Sequence, residues 1–250
     1  FLMGVYIVII GVADERFRGQ FLHYDDQWKN SVTCKVAGFL SLMSSEVSAL
    51  IIWFITLDRF VVLRFPFSTV RFDRTSAALA CLLTWLVGWL LALLPLLPVT
   101  AHWEFYSQSG ICIPLPVTRQ DFKGRLYSVS VLIIFNFIIF LIISAGQVFI
   151  YWTVQANALK TNSTKVSRDM TIARRLISVA VTDFMCWFPV GLCGLLALAG
   201  TPIPGEVNVA LAIFVLPLNS SINPFMYTFN TFAEKREKRS EIVFMKWLES

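Results

Sequence analysis

Several side chains in this sequence sit where chemistry is expensive. Glu46, in "SLMSSEVSAL", and Asp183, in "VAVTDFMCWFPVG", are carboxyl groups inside long apolar stretches. An ionisable group at a bilayer centre costs about 2.5–3.5 kcal/mol on insertion scales, so it demands a partner and marks a functional site. Two such groups can serve as a proton relay or as a polar switch between helices. Asn219 and Asn223, in "LPLNSSINPFMY", are four residues apart and therefore lie one above the other on one helix face. With two serines and Pro224 beside them, they are too polar for lipid and are predicted to face the bundle interior. Asp58 and Arg59, in "TLDRFVVLRFPF", end another apolar run. Arg59 can pair with Asp58 or with Asp169 of a neighbouring helix.

The elements that must position these groups are membrane helices. Of 250 residues, 56% are hydrophobic and 15% charged, with a mean hydropathy of +0.67. Soluble domains carry about 25% charged residues. A bilayer-spanning helix needs about 20 apolar residues. The pattern predicts full helices at about 33–63, 76–99, 125–154, 169–199 and 207–229, plus a partial one at 1–13. The expected protein is an all-α membrane protein: a bundle over 1–229, followed by a basic, amphipathic cytoplasmic helix or tail over 230–250. The partial first helix reads as part of a longer chain.

Charge orients the bundle. Segments 14–35, 100–125 and 200–206 hold seven basic and seven acidic residues. Segments 58–76, 155–175 and 230–250 hold fourteen basic and seven acidic. The lysine- and arginine-rich side is cytoplasmic. The net charge of +5 therefore comes from topology and gives no reason to expect nucleic acid. Cys34 and Cys112 both fall on the outer, oxidising side, which predicts a disulfide between them. Cys81, Cys186 and Cys193 fall within spans as small packing residues.

Prolines and small residues add local expectations. Pro189 removes the hydrogen bond to the Met185 carbonyl and predicts a hinge one turn outward of Asp183, with Trp187 beside it. Pro95 frees the Leu91 carbonyl near the outer end of its helix. Trp85, Gly88 and Trp89 read as a surface for close packing with another helix. For Glu46, Ser44, Ser45, Ser48 and Asn136 are candidate partners.

Taken in order, these motifs resemble the rhodopsin-like (class A) G-protein-coupled receptors. The matching residues are Cys34, Asp58-Arg59-Phe60, Trp85, Cys112, Cys186-Trp187-Phe188-Pro189 and Asn223-Pro224-Phe225-Met226-Tyr227. The resemblance implies a seven-helix bundle represented from half of the second family helix through the seventh plus a short amphipathic helix. Asp183, Glu46 and a fifth helix without proline narrow it to receptors with leucine-rich-repeat ectodomains. The strings "FRGQF", "YSVSVL", "TDFMCWFP" and "LPLNSSINP" look most like the relaxin-receptor branch and an invertebrate orphan receptor of it. The resemblance implies a plasma-membrane receptor for a peptide or protein ligand that is held mainly outside this segment. It further implies that the signal reaches a heterotrimeric G protein. Arg59 would engage the G protein when the sixth helix swings outward, with Asp169 holding it at rest. Trp187 and Pro189 would form the hinge, and Asn223, Pro224 and Tyr227 would rearrange on activation. Asp183 is expected to accept hydrogen bonds from Asn219 and Asn223 in the resting state only. Ala145 stands where many such receptors have a tyrosine.

Other classes fit less well. A transporter or proton relay through Glu46 and Asp183 is the alternative, but no internal repeat accompanies them. A retinal Schiff base needs a lysine in the last span, and 207–229 has none. Both histidines, His23 and His102, fall on the outer side, so no intramembrane enzyme is indicated. No cofactor or metal is expected. Ser41 stands where amine receptors place an aspartate.

Overall fold

The computed structural model describes residues 1–65, 73–113, 123–160, 164–201, 203–215, 218, 221–222 and 225. Every regular element among them is helical. Four segments are long and apolar enough to cross a bilayer: Val32–Arg64, Arg74–Leu96, Arg125–Ala156 and Leu176–Ala197. They match four of the five predicted full spans. The fifth is described as a helix over Gly205–Ala210 and a π-type turn over Leu211–Val215, with isolated residues beyond. The predicted tail at 230–250 lies outside the described residues.

Helix α1 (Leu2–Arg16) buries Met3, Tyr6 and Ala13. A short helix not anticipated from the sequence follows, α2 (Phe21–Lys29), braced by an ion pair between Lys29 and Asp25. Its aromatic face closes on Phe17, whose ring lies 5.4 Å from Tyr24 and 6.2 Å from Trp28. Then comes α3 (Val32–Arg64), 33 residues long, or about 50 Å at 1.5 Å per residue. Ser31 starts it by accepting the Cys34 N–H at 3.1 Å, which satisfies one of the orphan donors of a helix start. Asp73 does the same for α4 (Arg74–Leu93), accepting from Ser76 at 2.8 Å. That bond holds the exposed Asp73 carboxyl below its ordinary range.

The central position of α3 follows from its small residues. It buries Ala37, Gly38, Ser41 and Ser45 among larger neighbours and packs against α1, α4 and α6. Gly88 of α4 sits against it, where a Cβ would come within 2.5 Å of Val47 Cγ2. The buried residues of α4 are Ala80, Thr84, Gly88 and Ala92, a stripe at every fourth position. Small side chains there let two backbones approach, which is how membrane helices gain contact without a hydrophobic driving force. The predicted packing surface is thus half right. Gly88 packs, while Trp85 and Trp89 are 46% and 45% exposed, because one residue step turns them about 100° from the stripe.

Pro95 ends α4 in a 3₁₀ turn over Leu94–Leu96. The Leu91 carbonyl that it deprives of a donor receives the Tyr127 hydroxyl at 2.7 Å. The next carbonyl, of Ala92, receives the Tyr106 hydroxyl at 2.7 Å. Two tyrosines from other segments therefore cap the outer end of α4, as a helix end without water requires. Tyr106 is only 1% exposed, and burial pushes its phenol well above its ordinary range.

The next span begins with α5 (Arg125–Ser128), widens into a π-type turn over Val129–Phe135, and continues as α6 (Asn136–Lys160). Helix α7 (Thr164–Leu198) remains helical through Pro189, and α8 is Gly205–Ala210. Helices α6 and α7 pack side by side, with Phe140 and Phe184 stacked at 4.4 Å.

At the outer end, a Cβ on Gly38 would overlap the Cys112 carbonyl oxygen and the Tyr106 ring. A backbone atom cannot yield as a side-chain tip can. Gly38→Ala is expected to destabilise the protein by about 1–3 kcal/mol, read as a lower thermal midpoint of the detergent-solubilised protein. An unchanged midpoint would mean that the loop is not seated on α3.

Candidate functional site

The predicted disulfide is present. Cys34 and Cys112 are joined with a Cα–Cα distance of 5.4 Å across 78 residues of chain, and both are fully buried. It pins the loop over 105–113 to the start of α3. Three further contacts hold the same loop. Tyr6 donates to the Ile111 carbonyl at 2.9 Å, Trp28 donates through Nε1 to the Gly110 carbonyl at 2.6 Å, and Phe105 and Tyr106 are buried in the core under it. The outer mouth is therefore roofed by chain tied to α1, α2, α3 and α4.

Within the span, Glu46 is 0% exposed. Its Oε1 accepts from Asn136 Nδ2 at 2.8 Å, and the same amide donates to the Val131 carbonyl at 3.0 Å. The structure thus selects Asn136 from the four candidate partners. The π-type turn helps, because Asn136 directly follows it and Val131 lies within it. Wide turns of this kind free carbonyls and re-aim side chains. Glu46 Oε2 and Ser45 Oγ have no hydrogen-bond partner among the described residues. Since a buried polar atom without a partner costs free energy, this junction is held together and strained at the same time.

A second tie between α3 and α6 was not anticipated. Gln147 donates through Nε2 to Thr56 Oγ1 at 2.9 Å, and Thr56 donates to the Ile52 carbonyl at 2.9 Å. Both side chains are buried. The signal available in the sequence was the amide of Gln147, the second one after Asn136 inside the apolar run 126–154, which the same rule applied to Glu46 would have flagged.

Nearer the inner end, Arg59 Nε lies 3.4 Å from Asp58 Oδ2, with the two side chains 43% and 25% exposed. Such an exposed pair is worth about 0–1 kcal/mol, so it restrains Arg59 weakly. Asp169 and Asp183 lie on α7 by their backbones, and their side chains fall outside the described residues. The predicted partners of Asp183, namely Asn219 and Asn223, also lie outside, as do Pro224 and Tyr227. Trp187 is partly buried against the cluster that includes Met3, Tyr6 and Val190. With Asn136, Phe137, Phe140, Phe184 and Phe188 it also borders an apolar cavity of about 320 Å³ between α6 and α7.

A disulfide-pinned outer loop, a long central helix carrying Asp58-Arg59 near its inner end and a further helix with an internal proline belong to one helical membrane bundle. Residues 17–227 match the family described as 7 transmembrane receptor (rhodopsin family), and the chain belongs to that family. Its relatives include the G-protein coupled receptor GRL101 of Lymnaea stagnalis, 38% identical over 231 residues, which cover 92% of this chain and 21% of that receptor. Relaxin receptor 2 of Homo sapiens is 34% identical over 233 residues, covering 92% of this chain and 31% of the receptor. The lutropin-choriogonadotropic hormone receptor of Sus scrofa is 30% identical over 239 residues, covering 95% and 33%. The chain thus spans about a fifth to a third of the length of these relatives. They bear out the relaxin-receptor-like branch expected from the sequence, and all three are receptors by name. The protein is a multi-pass protein of the plasma membrane.

The Glu46–Asn136 bond makes an energetic prediction. Asn136→Leu removes the donor from a buried carboxyl and is expected to cost about 1–3 kcal/mol. Adding Glu46→Leu should recover part of that loss, because the buried carboxyl left without its donor is gone. A double-mutant cycle on thermal stability measures the coupling, and additive losses would show that the two side chains do not depend on each other.

Proposed function

We propose that this chain is the signal-transmitting core of a G-protein-coupled receptor. It passes an extracellular peptide or protein signal to a heterotrimeric G protein by outward movement of α7, the sixth helix of the family. The observation that carries this reading is the match to the rhodopsin family over residues 17–227, with Asp58-Arg59 at the inner end of the central helix. The relatives named for relaxin and for lutropin-choriogonadotropic hormone support a protein or peptide ligand. The roofed outer mouth favours ligand capture mainly by a part of the receptor outside this chain, for which a leucine-rich-repeat ectodomain is the proposed form.

In this mechanism Arg59 is the group that meets the G protein. Its pair with Asp58 is exposed and weak, so a second carboxylate, Asp169 of α7, is the proposed resting lock. Opening requires α7 to swing at its inner half, and Pro189 lets it bend because one backbone hydrogen bond is already absent there. Trp187 moves with that hinge. Asp183 holds α7 to the asparagine face of Asn219 and Asn223 at rest, while Pro224 and Tyr227 complete the rearrangement. Each of these contacts is one side of a two-state element that ligand binding biases. The proton-relay alternative through Glu46 and Asp183 gains no support, since Glu46 is tied to Asn136 and the family is one of receptors.

Two variants of the full-length receptor test the lock and the switch at matched surface expression. Asp169→Ala is expected to raise ligand-free G-protein signalling several-fold, and unchanged basal activity would remove Asp169 from the mechanism. Asp183→Asn keeps the size of the side chain but loses its charge-assisted hydrogen bonds, and basal signalling is expected to rise. If that variant stays silent, Asp183 is a structural anchor.

A further inference from the structure

Gln147 holds a buried hydrogen-bond acceptor that no described residue uses. Its Nε2 is committed to Thr56 Oγ1, while its Oε1 is buried and has no partner among the described residues. The neighbouring Gly146 lies so close to α3 that a Cβ there would come within 2.6 Å of Thr56 Cγ2. A protein donor that arrives when the helices rearrange would satisfy this acceptor.

One strong donor shares the same face of α3. Thr56, Phe60 and Leu63 all meet α6 or its surroundings: Thr56 through Gln147, Phe60 through Phe149 at 4.8 Å, and Leu63 through the cluster of Ile150, Val154 and Ala173. Arg59 lies three residues after Thr56 and four before Leu63, on this stripe. A helical side chain leans back over the turn N-terminal to its own Cα, which for Arg59 is the turn of Thr56. Its guanidinium has five donors and no acceptor. At present it faces Asp58 in a pair exposed enough to break at little cost.

We propose that Gln147 is a two-state positioning residue. At rest its amide nitrogen latches α6 to Thr56 of α3. In the signalling state its carbonyl oxygen accepts the guanidinium of Arg59, which holds the arginine extended toward the G protein. The inference rests on the receptor reading above and adds to it the residue that receives Arg59. The resting bond and the signalling bond use different atoms of one side chain, so substitutions can separate them.

The test is ligand-free nucleotide exchange by purified heterotrimeric G proteins on membranes holding the full-length receptor, normalised to surface expression. Thr56→Val removes the resting bond, together with the bond from the Thr56 hydroxyl to the Ile52 carbonyl of its own helix, and leaves Oε1 in place. It is expected to raise basal exchange about threefold, the worth of one net hydrogen bond. Gln147→Leu removes the same resting bond together with the acceptor, and exchange is expected to stay at or below the wild-type level. Gln147→Met, closer in volume, takes its place if the leucine variant fails to reach the surface. Gln147→Glu keeps an acceptor and adds charge, and is expected to raise exchange as Thr56→Val does. A plain structural latch predicts that all these variants move together, and that result, or no change in any of them, would overturn the proposal. A wild-type receptor that drives no exchange with any heterotrimer would overturn the receptor reading and this inference with it, whereas an active wild type without the split overturns only the role of Gln147.

Discussion

A polar group inside a bilayer has no water to fall back on, and the arrangement of this bundle follows from that constraint. Helix α3 carries the heaviest polar load, with Glu46 and Thr56 buried along its length. Each finds a partner on α6, Asn136 for Glu46 and Gln147 for Thr56. These two bonds set the rotation of α3 against α6, because an apolar contact would tolerate a small turn of either helix and a hydrogen bond does not. The same rule governs backbone. Pro95 takes a donor away from α4, and Tyr127 and Tyr106 replace what the helix end lacks.

Stability and switching meet in the same places. Glu46 Oε2, Ser45 Oγ and Gln147 Oε1 stay unpartnered among the described residues, all of them beside the α3–α6 junction. Half-satisfied polar networks are costly in a low dielectric. A fold that keeps them is poised for a second arrangement in which they are met, provided the surrounding contacts are weak enough to release. The outer end shows the opposite behaviour. There the disulfide, the close seat of Gly38 and the bonds from Tyr6 and Trp28 fasten one loop to several elements.

The legible part of the site was the part with an expensive local signature. Glu46 stood out because a carboxyl in an apolar run has few explanations, and Asn136 was within its list of candidate partners. Cys34 and Cys112 were paired by compartment, and the freed Leu91 carbonyl was signalled by the missing N–H of Pro95. Gln147 escaped because a neutral amide in a long apolar run costs less and draws less notice than a charge. Trp85 and Trp89 misled, since a large aromatic beside a glycine looks like packing when only the glycine's face of the helix is covered. Helix α2 escaped too, as nine mostly polar and aromatic residues between spans make a stretch too short to stand out beside spanning runs.

What the sequence by itself determined is the class of the molecule: apolar runs of spanning length, their orientation by lysine and arginine, and the order of motifs that places it among the rhodopsin-family receptors. These are properties of composition and spacing along one segment at a time, and a bilayer reads them in the same way. What only the tertiary structure decided is which buried polar group answers which. Glu46 and Asn136 are 90 residues apart, and Thr56 and Gln147 are 91. Nothing in either helix alone specifies how far it is rotated toward the other. That angle is settled when all the small-residue stripes and all the hydrogen bonds must be satisfied at once, within a bundle that has no solvent to absorb an error.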